Sequence, residues 1–296
     1  MVECRSCSCT YLNPRPTLET VSRAYANYYT HHPPRLTTVA PARRGWLRKA
    51  LKNGYLKRRF GYDLSPALST GSYVLEVIPG IAPLASRYVR DLTRPEVQAK
   101  LLDIGCGNGQ FLFDMRSLGW DVQGQEVDPE AAALGASVGV PIFLGTLEEA
   151  GFAEGSFDVI TLSHLIEHVH DPIGLLERCY SLLKPGGLVW VATPNLQADG
   201  HHTFGLYWRG LEPPRHLVMF TPGGLEQALS RRFTDVTRIP PPMHATMMLF
   251  RASILIVQAA GGRITGWRTR MALAALRMAV NPDYSEELVF TARRPR

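Results

Sequence analysis

From Lys100 to Pro194, short apolar runs alternate with amphipathic stretches of helical length. The runs read KLLDIG, WDVQGQEV, VPIFLG, SFDVITLS and GLVWVATP, and turn residues bound each of them. Helix-length stretches cover residues 109–118 and 129–138, and a longer connection leads to the fourth run. Strands that are buried on both faces and alternate with helices are typical of βαβ units around a parallel sheet. The pattern therefore predicts an α/β fold.

Proline and glycine mark the ends of the next predicted helix. Asp171 occupies the N-cap and Pro172 the first position of a helix that reaches about Leu183. The segment 184–187, Lys-Pro-Gly-Gly, is expected to end this helix and turn into a strand.

The last third of the chain has a looser pattern. Thr221-Pro222 opens a predicted helix to about Arg232, and a strand follows near 234–239. The run ELVFTA, which starts at Glu287, is predicted to be the last strand. Between these strands, residues 240–285 form an insertion with a Met-rich apolar stretch and several arginines, which we expect to be helical.

The strongest motif is LLDIGCGNG, from Leu101 to Gly109, where an apolar strand enters a glycine-rich turn before a helix. Glycine lets a ligand approach the backbone, and the helix start offers free N–H groups. The dinucleotide pattern would require glycine or alanine at Gln110, which argues against an NAD-dependent oxidoreductase, and the loop lacks the G-K-[ST] of a P-loop. Asp103 is unfavourable beside a pyrophosphate and favourable beside a cation. The loop therefore favours a positively charged nucleoside over a tight turn without a ligand.

Glu126 supplies the second half of this predicted site. It ends the next strand, at about the distance downstream at which an acid binds ribose hydroxyls in nucleotide-binding βαβ units. For Glu126 taken alone, a solvated strand end is the alternative. The glycine loop and the acid together predict a nucleoside site.

Four successive motifs resemble those of class I S-adenosylmethionine-dependent methyltransferases. They are LLDIGCGNGQFL, the acid Glu126, SFDVITLSHLIEHVHDP and LLKPGGLVWVATPN, and the resemblance covers about residues 98–196. It implies a Rossmann-like seven-stranded sheet flanked by helices, with an antiparallel last strand that corresponds to ELVFTA. It also implies an enzyme that uses S-adenosyl-L-methionine as its cofactor and transfers the methyl group.

The resemblance implies roles for individual residues. Ser163 and His164, at the end of the fourth strand, would line the face where the methyl group is transferred. Thr146 and Leu147, after the third strand, would lie near the adenine, although relatives often have an acidic residue in place of Thr146. The implied cofactor-binding residues are Asp103, Gly105, Gly107, Gly109, Glu126, Thr146, Leu147 and Ser163.

A second resemblance reaches both ends of the chain. The CxxC that begins at Cys4, followed by YLNPRP and YY, is similar to the start of a bacterial subgroup found among sugar, polysaccharide and secondary-metabolite methyltransferases. WRGLEPPRHL, from Trp208, resembles that subgroup's segment after the fifth strand. We expect a small-molecule or carbohydrate-type acceptor that is methylated at oxygen. HLIEHV and the apolar flanks favour a quinone- or lipid-type O-methyltransferase instead, and a non-catalytic S-adenosylmethionine-binding protein is the alternative from another class.

The segment SHLIEH carries the candidates for acceptor chemistry. Its spacing places His164, Glu167 and His168 on one face if the segment is helical. We expect His164 to be the catalytic residue, either as a general base or as a clamp on the acceptor. His170 and His216 are further candidates. A metal bound by Glu167 and the histidines, or a purely structural role, are the alternatives, and we expect no metal.

Three of the five cysteines lie close together near the N-terminus: Cys4, Cys7 and Cys9. Thiolates at C-x2-C spacing form half of a tetrahedral zinc site, and the other half is missing nearby. We expect residues 1–16 to be a truncated or degenerate knuckle. The alternative is a zinc site completed by His31 and His32.

The chain of 296 residues has a net charge of +6, and the basic excess lies in one segment. Ten Lys and Arg residues and no acidic residue lie between Thr20 and Tyr62. We expect residues 17–95 to form a basic helical extension and residues 96–296 the methyltransferase domain. The stretch 43–60 fits a helix at a membrane surface or a solvated helix packed on the domain, whereas nucleic acid is disfavoured because no RNA-binding module accompanies the charge.

The composition is that of a globular protein. Hydrophobic residues make up 45% and charged residues 20% of the chain, which excludes wholesale disorder. No apolar run is long enough to span a bilayer, and no secretory signal is readable. We therefore expect a cytoplasmic protein.

Overall fold

The computed structural model of this protein describes residues 1–25, 43–70, 73, 75–76, 85–96, 98–240 and 243–296. His31 and His32, the alternative partners of the cysteines, lie outside the described residues.

The strands, in chain order, are β1 (Val2–Glu3), β2 (Thr10–Tyr11), β3 (Lys100–Ile104), β4 (Asp121–Glu126), β5 (Ile142–Leu144), β6 (Phe157–Ser163), β7 (Leu183–Pro194), β8 (Val218–Met219), β9 (Thr234–Arg238) and β10 (Glu287–Arg293). The α-helices of the described ranges are α1 (Arg43–Phe60), α2 (Gln110–Ser117), α3 (Pro129–Ser137), α4 (Pro172–Leu182), α5 (Asp199–Phe204), α6 (Pro222–Ser230), α7 (Met243–Ala259) and α8 (Trp267–Val280).

The central sheet has seven strands in the order β5-β4-β3-β6-β7-β10-β9. Strand β10 is antiparallel to both of its neighbours, and the pairs from β5 to β7 are parallel. The predicted Rossmann-like sheet with an antiparallel last strand is therefore confirmed. Successive strands move outward from β3 to β5, and the chain then returns to place β6 on the other side of β3. In such sheets ligands bind where the strand order reverses, at the carboxyl ends of the strands.

Local capping explains where the helices that flank the sheet begin. The Asp171 side chain accepts a hydrogen bond from the backbone N–H of Gly174, and Pro172 is the first residue of α4. The Thr221 hydroxyl accepts the N–H of Gly224 in the same way at the start of α6. Both helices start where the sequence predicts because the cap satisfies a backbone donor that has no partner within the helix.

The structure defines two segments whose local conformation the sequence pattern left open. The segment that contains His164 and Glu167 forms a turn after β6 and not a helix, and His164 has a left-handed backbone with φ of +52°. Helix α4 ends at Leu182 and a strand follows, as predicted, and the segment 184–187 already belongs to the start of β7. The cause lies at the end of the chain, where the N–H of Gly186 donates to the carbonyl of Arg294 and extends the ladder.

The N-terminal residues form a hairpin that docks on the main domain. Strands β1 and β2 are antiparallel, and β2 pairs with β8. The side chain of Cys9 is buried beside Thr221, with 3.9 Å between sulfur and hydroxyl oxygen. Cys4, Cys7 and Cys9 are free thiols, and none of them belongs to a group of three metal-ligating residues in the described part of the chain. The degenerate knuckle and the three segment boundaries stay predictions.

Helix α1 packs its apolar side on the domain. Leu56 and Phe60 are buried in the cluster that also contains Leu101 of β3 and Met115 of α2. Most of its charged residues that are described face outward. Helices α7 and α8, which lie in the predicted insertion, pack against α5 through a third apolar cluster. None of the described helices is both long and apolar enough to cross a membrane.

Leu56→Ala tests whether α1 is an integral part of the domain. Leu56 is fully buried, so we expect its truncation to lower the free energy of unfolding by about 2–5 kcal/mol through lost burial and a residual cavity. The matched control is Leu47→Ala in the same helix, where the side chain is 54% exposed and the loss should be close to zero. Chemical denaturation measures both, and equal effects of the two substitutions would contradict the packing of α1.

Candidate active site

The glycine loop joins β3 to α2 and can be formed only by small residues. Gly105 has a φ of +67°, and a Cβ built on it would come within 2.8 Å of the Leu165 side chain. Gly109 has a φ of +72°, and a Cβ built on it would lie 3.2 Å from the Cα of Gly135. The loop therefore packs tightly against both the turn after β6 and helix α3.

The carboxylate of Glu126 fixes the loop to the end of β4. The backbone N–H of Gly107 donates to Glu126 Oε2 at 2.7 Å. The N–H groups of Val127 and Asp128 donate to Glu126 Oε1 at 2.8 Å and 3.1 Å. Glu126 is 9% exposed, so a buried negative charge is held by three backbone donors beside the glycine loop.

A cavity of about 380 Å³ opens at the carboxyl ends of β3 and β6, where the strand order reverses. Five of the nine predicted site residues line it: Asp103, Gly105, Gly107, Ser163 and His164. The other four, Gly109, Glu126, Thr146 and Leu147, do not line this cavity.

The residues outside the cavity wall have contacts of their own. The Thr146 hydroxyl donates to the carboxylate of Glu149 at 2.9 Å at the protein surface. Leu147 is buried in the core cluster of β6 and α4. Their predicted contacts with an adenine stay predictions.

Arg90 is a residue of the cavity wall that was not predicted from the sequence. Its Nη1 donates to Asp103 Oδ1 at 2.5 Å and to the Thr161 hydroxyl at 2.7 Å. Its guanidinium lies 3.5 Å from the ring centroid of Phe111 and 5.3 Å from that of Trp190. Asp103 is therefore paired with a cation already, and a ligand at this wall meets an ion pair and not a bare carboxylate.

The backbone at Arg90 also has a conformation that is uncommon for residues with side chains. Arg90 and Asp91 both have left-handed φ values, +48° and +57°. Such positions cost of order 1–3 kcal/mol and cluster at ligand sites. Because both residues line the cavity, the predicted extension contributes directly to its wall.

His164 lies between two buried carboxylates. Its Nδ1 is 3.4 Å from Glu167 Oε1, and its Nε2 is 3.1 Å from Glu287 Oε1. Burial alone would lower the pKa of His164, but hydrogen bonds with the two carboxylates raise it well above its usual value. Burial would raise the pKa of Glu287, and the bond with His164 instead lowers it. The pair is therefore an imidazolium held by carboxylates on the cavity wall.

Glu167 is completely buried and joins His164 to two further histidines. The Thr193 hydroxyl donates to Glu167 Oε2 at 2.9 Å, and Oε1 lies 3.4 Å from His164 Nδ1 and 4.0 Å from His168 Nε2. Burial opposes its ionisation, yet the bond with His164 and the neighbouring imidazoles lower the pKa of Glu167 to about 2.

Glu167, His168 and His216 can provide three ligand atoms within 4.8 Å of one another. His168 Nδ1 is 3.1 Å from the carbonyl of Arg215, and His216 Nδ1 is 2.7 Å from that of Gly210. A ring nitrogen bonded to a carbonyl is the arrangement that orients a metal-binding imidazole. The donor set therefore fits a divalent cation, and the prediction that the protein holds no metal is best checked by elemental analysis of this cluster. His170 lies apart, with its Nε2 2.8 Å from the carbonyl of Pro16.

Two more residues of the cavity wall escaped sequence analysis. Glu287 is the first residue of β10. From the sequence alone, an acidic residue at this position resembles one at the solvated end of a strand. Trp190 lies in the middle of β7 and is typical of core, yet its buried indole N–H has no partner among the described residues. The acidic pair Glu286-Glu287 directly before an apolar strand is the one local signal that could have drawn attention to this wall.

Fold and site together define a nucleoside-cofactor-binding α/β protein of the methyltransferase class. A family model described as a methyltransferase domain matches residues 80–233, more than half of the chain. The chain belongs to this methyltransferase domain family. The match begins inside the predicted extension, which agrees with the contribution of Arg90 to the cavity.

Curated relatives match a part of the chain. This chain is 38% identical over 104 residues to the ubiquinone biosynthesis O-methyltransferase of Xanthomonas campestris pv. campestris (strain B100). The match covers 33% of this chain and 44% of that protein. The chain is 35% identical over 120 residues to the protein of the same name from Xanthomonas axonopodis pv. citri, over 38% and 50% of the two chains. The chain thus matches at most half of the length of these relatives.

Solved structures share the fold at low identity. The [4+2]-cyclase SpnF has a TM-score of 0.51 and 18% identity, over 73% of this chain and 81% of that chain. Phosphoethanolamine N-methyltransferase 2 of Haemonchus contortus, in complex with phosphomonomethylethanolamine and S-adenosylhomocysteine, has a TM-score of 0.50 and 18% identity, over 83% and 60% of the two chains. These likenesses concern the fold alone, because a cyclase and a methyltransferase share it.

Glu126→Ala tests the proposed nucleoside site. Removal of the carboxylate releases the N–H of Gly107 and removes the expected ribose contact, so we expect S-adenosylhomocysteine to bind at least about tenfold more weakly. The measurement is calorimetric titration, with thermal melting as the check on folding. The control is Glu154→Ala, an exposed carboxylate in a loop, which should leave the affinity unchanged. An unchanged affinity of Glu126→Ala would remove Glu126 from the site.

Proposed function

We propose that this protein transfers the methyl group of S-adenosylmethionine to a hydroxyl oxygen of a small-molecule acceptor. The observation that carries the proposal is the His164–Glu287 pair on the wall of the cavity that the glycine loop also lines. Leu165, next to His164, lies against Gly105, so the loop and the turn after β6 are in contact. Cofactor and acceptor sites would then share one cavity.

The cofactor would be bound by the residues at the carboxyl edge of the sheet. In this proposal Arg90 neutralises Asp103, and Glu126 keeps the N–H groups of the glycine loop in place. The full proposed set is Asp103, Gly105, Gly107, Gly109, Glu126, Thr146, Leu147 and Ser163. The predicted extension contributes to this edge through the stretch that contains Arg87, Arg90 and Asp91, which line the cavity.

For this methyl transfer, the protein mainly has to position the donor and the acceptor. The sulfonium donor is already activated, and the electron pair of its S–CH3 bond remains on sulfur while oxygen forms the new C–O bond. The hydroxyl proton passes to the carboxylate of Glu287, which lines the cavity, while the imidazolium of His164 holds this carboxylate in place and Glu167 stabilises the charge on His164. His164 therefore acts mainly as a clamp that holds the acceptor oxygen.

A quinone- or lipid-type phenol is the acceptor class favoured by a specific observation. Phe111, Trp190 and Val289 give the cavity an aromatic and aliphatic wall, on which an aromatic ring can pack. The curated relatives are named as ubiquinone biosynthesis O-methyltransferases, which supports oxygen as the methylated atom. A carbohydrate-type acceptor is the second candidate, because the N-terminal CxxC and NPRP segment resembles a subgroup with such substrates.

A turnover assay distinguishes methyl transfer from cofactor binding without catalysis. The protein is incubated with S-adenosylmethionine that carries a deuterated methyl group and with phenols, alkyl-tailed phenols and sugars. We expect mass spectrometry to find the deuterated methyl on a phenolic oxygen. Binding of S-adenosylhomocysteine without transfer to any hydroxyl would support the non-catalytic alternative, and absence of binding would overturn the cofactor assignment.

His164→Ala tests the acceptor clamp. We expect kcat to fall by about 10²–10⁴-fold, because the variant no longer positions the acceptor oxygen and the Glu287 carboxylate that accepts its proton. The affinity for S-adenosylhomocysteine, measured by calorimetry, should stay the same. His202→Ala, an exposed histidine of α5, is the control and should keep full turnover. Full turnover of His164→Ala with unchanged acceptor affinity would contradict the role of His164.

A further inference from the structure

Helices α7 and α8 carry more apolar surface than their packing uses. One side of each helix is buried against the domain, through residues such as Phe250 and Ala274. A second side of α8 exposes Leu273, Leu276 and Val280, which are 47%, 61% and 80% exposed. Their spacing of three and seven residues places them in one stripe along the helix.

Helix α7 has a similar exposed stripe. Met248 is 54% and Leu255 is 65% exposed, and the two lie seven residues apart on the same side of the helix. Ile256, beside Leu255, is also exposed. Exposed apolar side chains in this number on adjacent helices indicate a surface that meets another apolar phase.

The charge of the same region is of one sign. No acidic residue occurs between Asp235 and Asp283. The exposed arginines of α7, α8 and the connection between them are Arg251, Arg263, Arg268, Arg270 and Arg277, of which Arg277 is paired with Asp199. This charge favours an anionic partner, and it disfavours a second copy of the chain on the same face, because the copy would bring equal positive charge.

The region also adjoins the proposed acceptor cavity. Ile239 and Pro240 line the cavity, and α7 begins at Met243.

We propose that the α7–α8 pair docks the protein on an anionic membrane surface. Leucine, isoleucine and methionine side chains of the two stripes enter the interface, while the arginines remain at the level of the anionic headgroups. The docking surface differs from the basic stretch 43–60, because α1 uses its apolar side for packing on the domain. Docking does not depend on methyl transfer and would bring the cavity close to lipid-soluble acceptors.

Vesicle sedimentation of the full chain tests the proposal. The probes are vesicles of phosphatidylcholine alone and vesicles that contain about one third phosphatidylglycerol. We expect binding to the anionic vesicles that weakens as salt rises, and little binding to the neutral ones. The double variant Leu273→Ser/Leu276→Ser should lower the partition coefficient by at least about tenfold.

The matched control is Trp46→Ser/Leu47→Ser in α1, where both side chains are about half exposed. This variant should bind the vesicles as the unmodified protein does. Both variants should keep their affinity for S-adenosylhomocysteine, so loss of docking is distinguishable from loss of fold or cofactor site.

Three results would overturn the proposal. The first is absence of binding to anionic vesicles at low salt. The second is loss of binding in the α1 variant with retention in the α8 variant, which assigns the membrane contact to residues 43–60. The third is a dimer in analytical ultracentrifugation that Leu273→Ser/Leu276→Ser dissociates, which assigns the surface to a second copy.

Discussion

The buried carboxylate of Glu126 is the constraint on which the candidate site depends. It accepts hydrogen bonds from three backbone N–H groups and ties the end of β4 to the loop after β3. A charge buried to this degree is stable only when such donors surround it, so the loop cannot move away without leaving it unpaired. The loop in turn places Gly105 against the turn that carries His164. One carboxylate thus couples three neighbouring strand ends.

Ion pairs lie on two opposite parts of the cavity wall. Arg90 neutralises Asp103 on one wall, and His164 connects Glu167 with Glu287 on the other. A sulfonium ligand would therefore meet ion pairs and not isolated carboxylates at Asp103 and Glu287. Selectivity for the cofactor then depends on shape, the backbone donors of the loop and the aromatic side chains around Arg90.

Sequence analysis was sufficient where short-range rules decide the structure. The strands from β3 to β7, the Asp171 cap and the glycine loop follow from apolar periodicity and from the conformational demands of glycine and proline. The turn at His164 was not predicted from the sequence, because the spacing of His164, Glu167 and His168 is compatible with a helix and with a compact turn. Neighbouring strands and Gly105 impose the turn.

The positions of Arg90 and Glu287 on the cavity wall were not predicted for a different reason. Each reaches the cavity from an element that is remote in sequence from the glycine loop, and each looks like an ordinary surface charge beside its chain neighbours. Their roles arise from the sheet order, which brings β10 next to β7 and places the end of the predicted extension across β3. Contacts between residues that are so far apart in the chain produce no periodic pattern of residue types in the sequence.

A crystal structure of the protein with bound S-adenosylhomocysteine tests the central claim most directly. We expect the thioether sulfur in the cavity between the glycine loop and His164, with the ribose at the end of β4. A nucleoside bound elsewhere, or with its sulfur facing away from His164, would contradict the assignment of this cavity to methyl transfer.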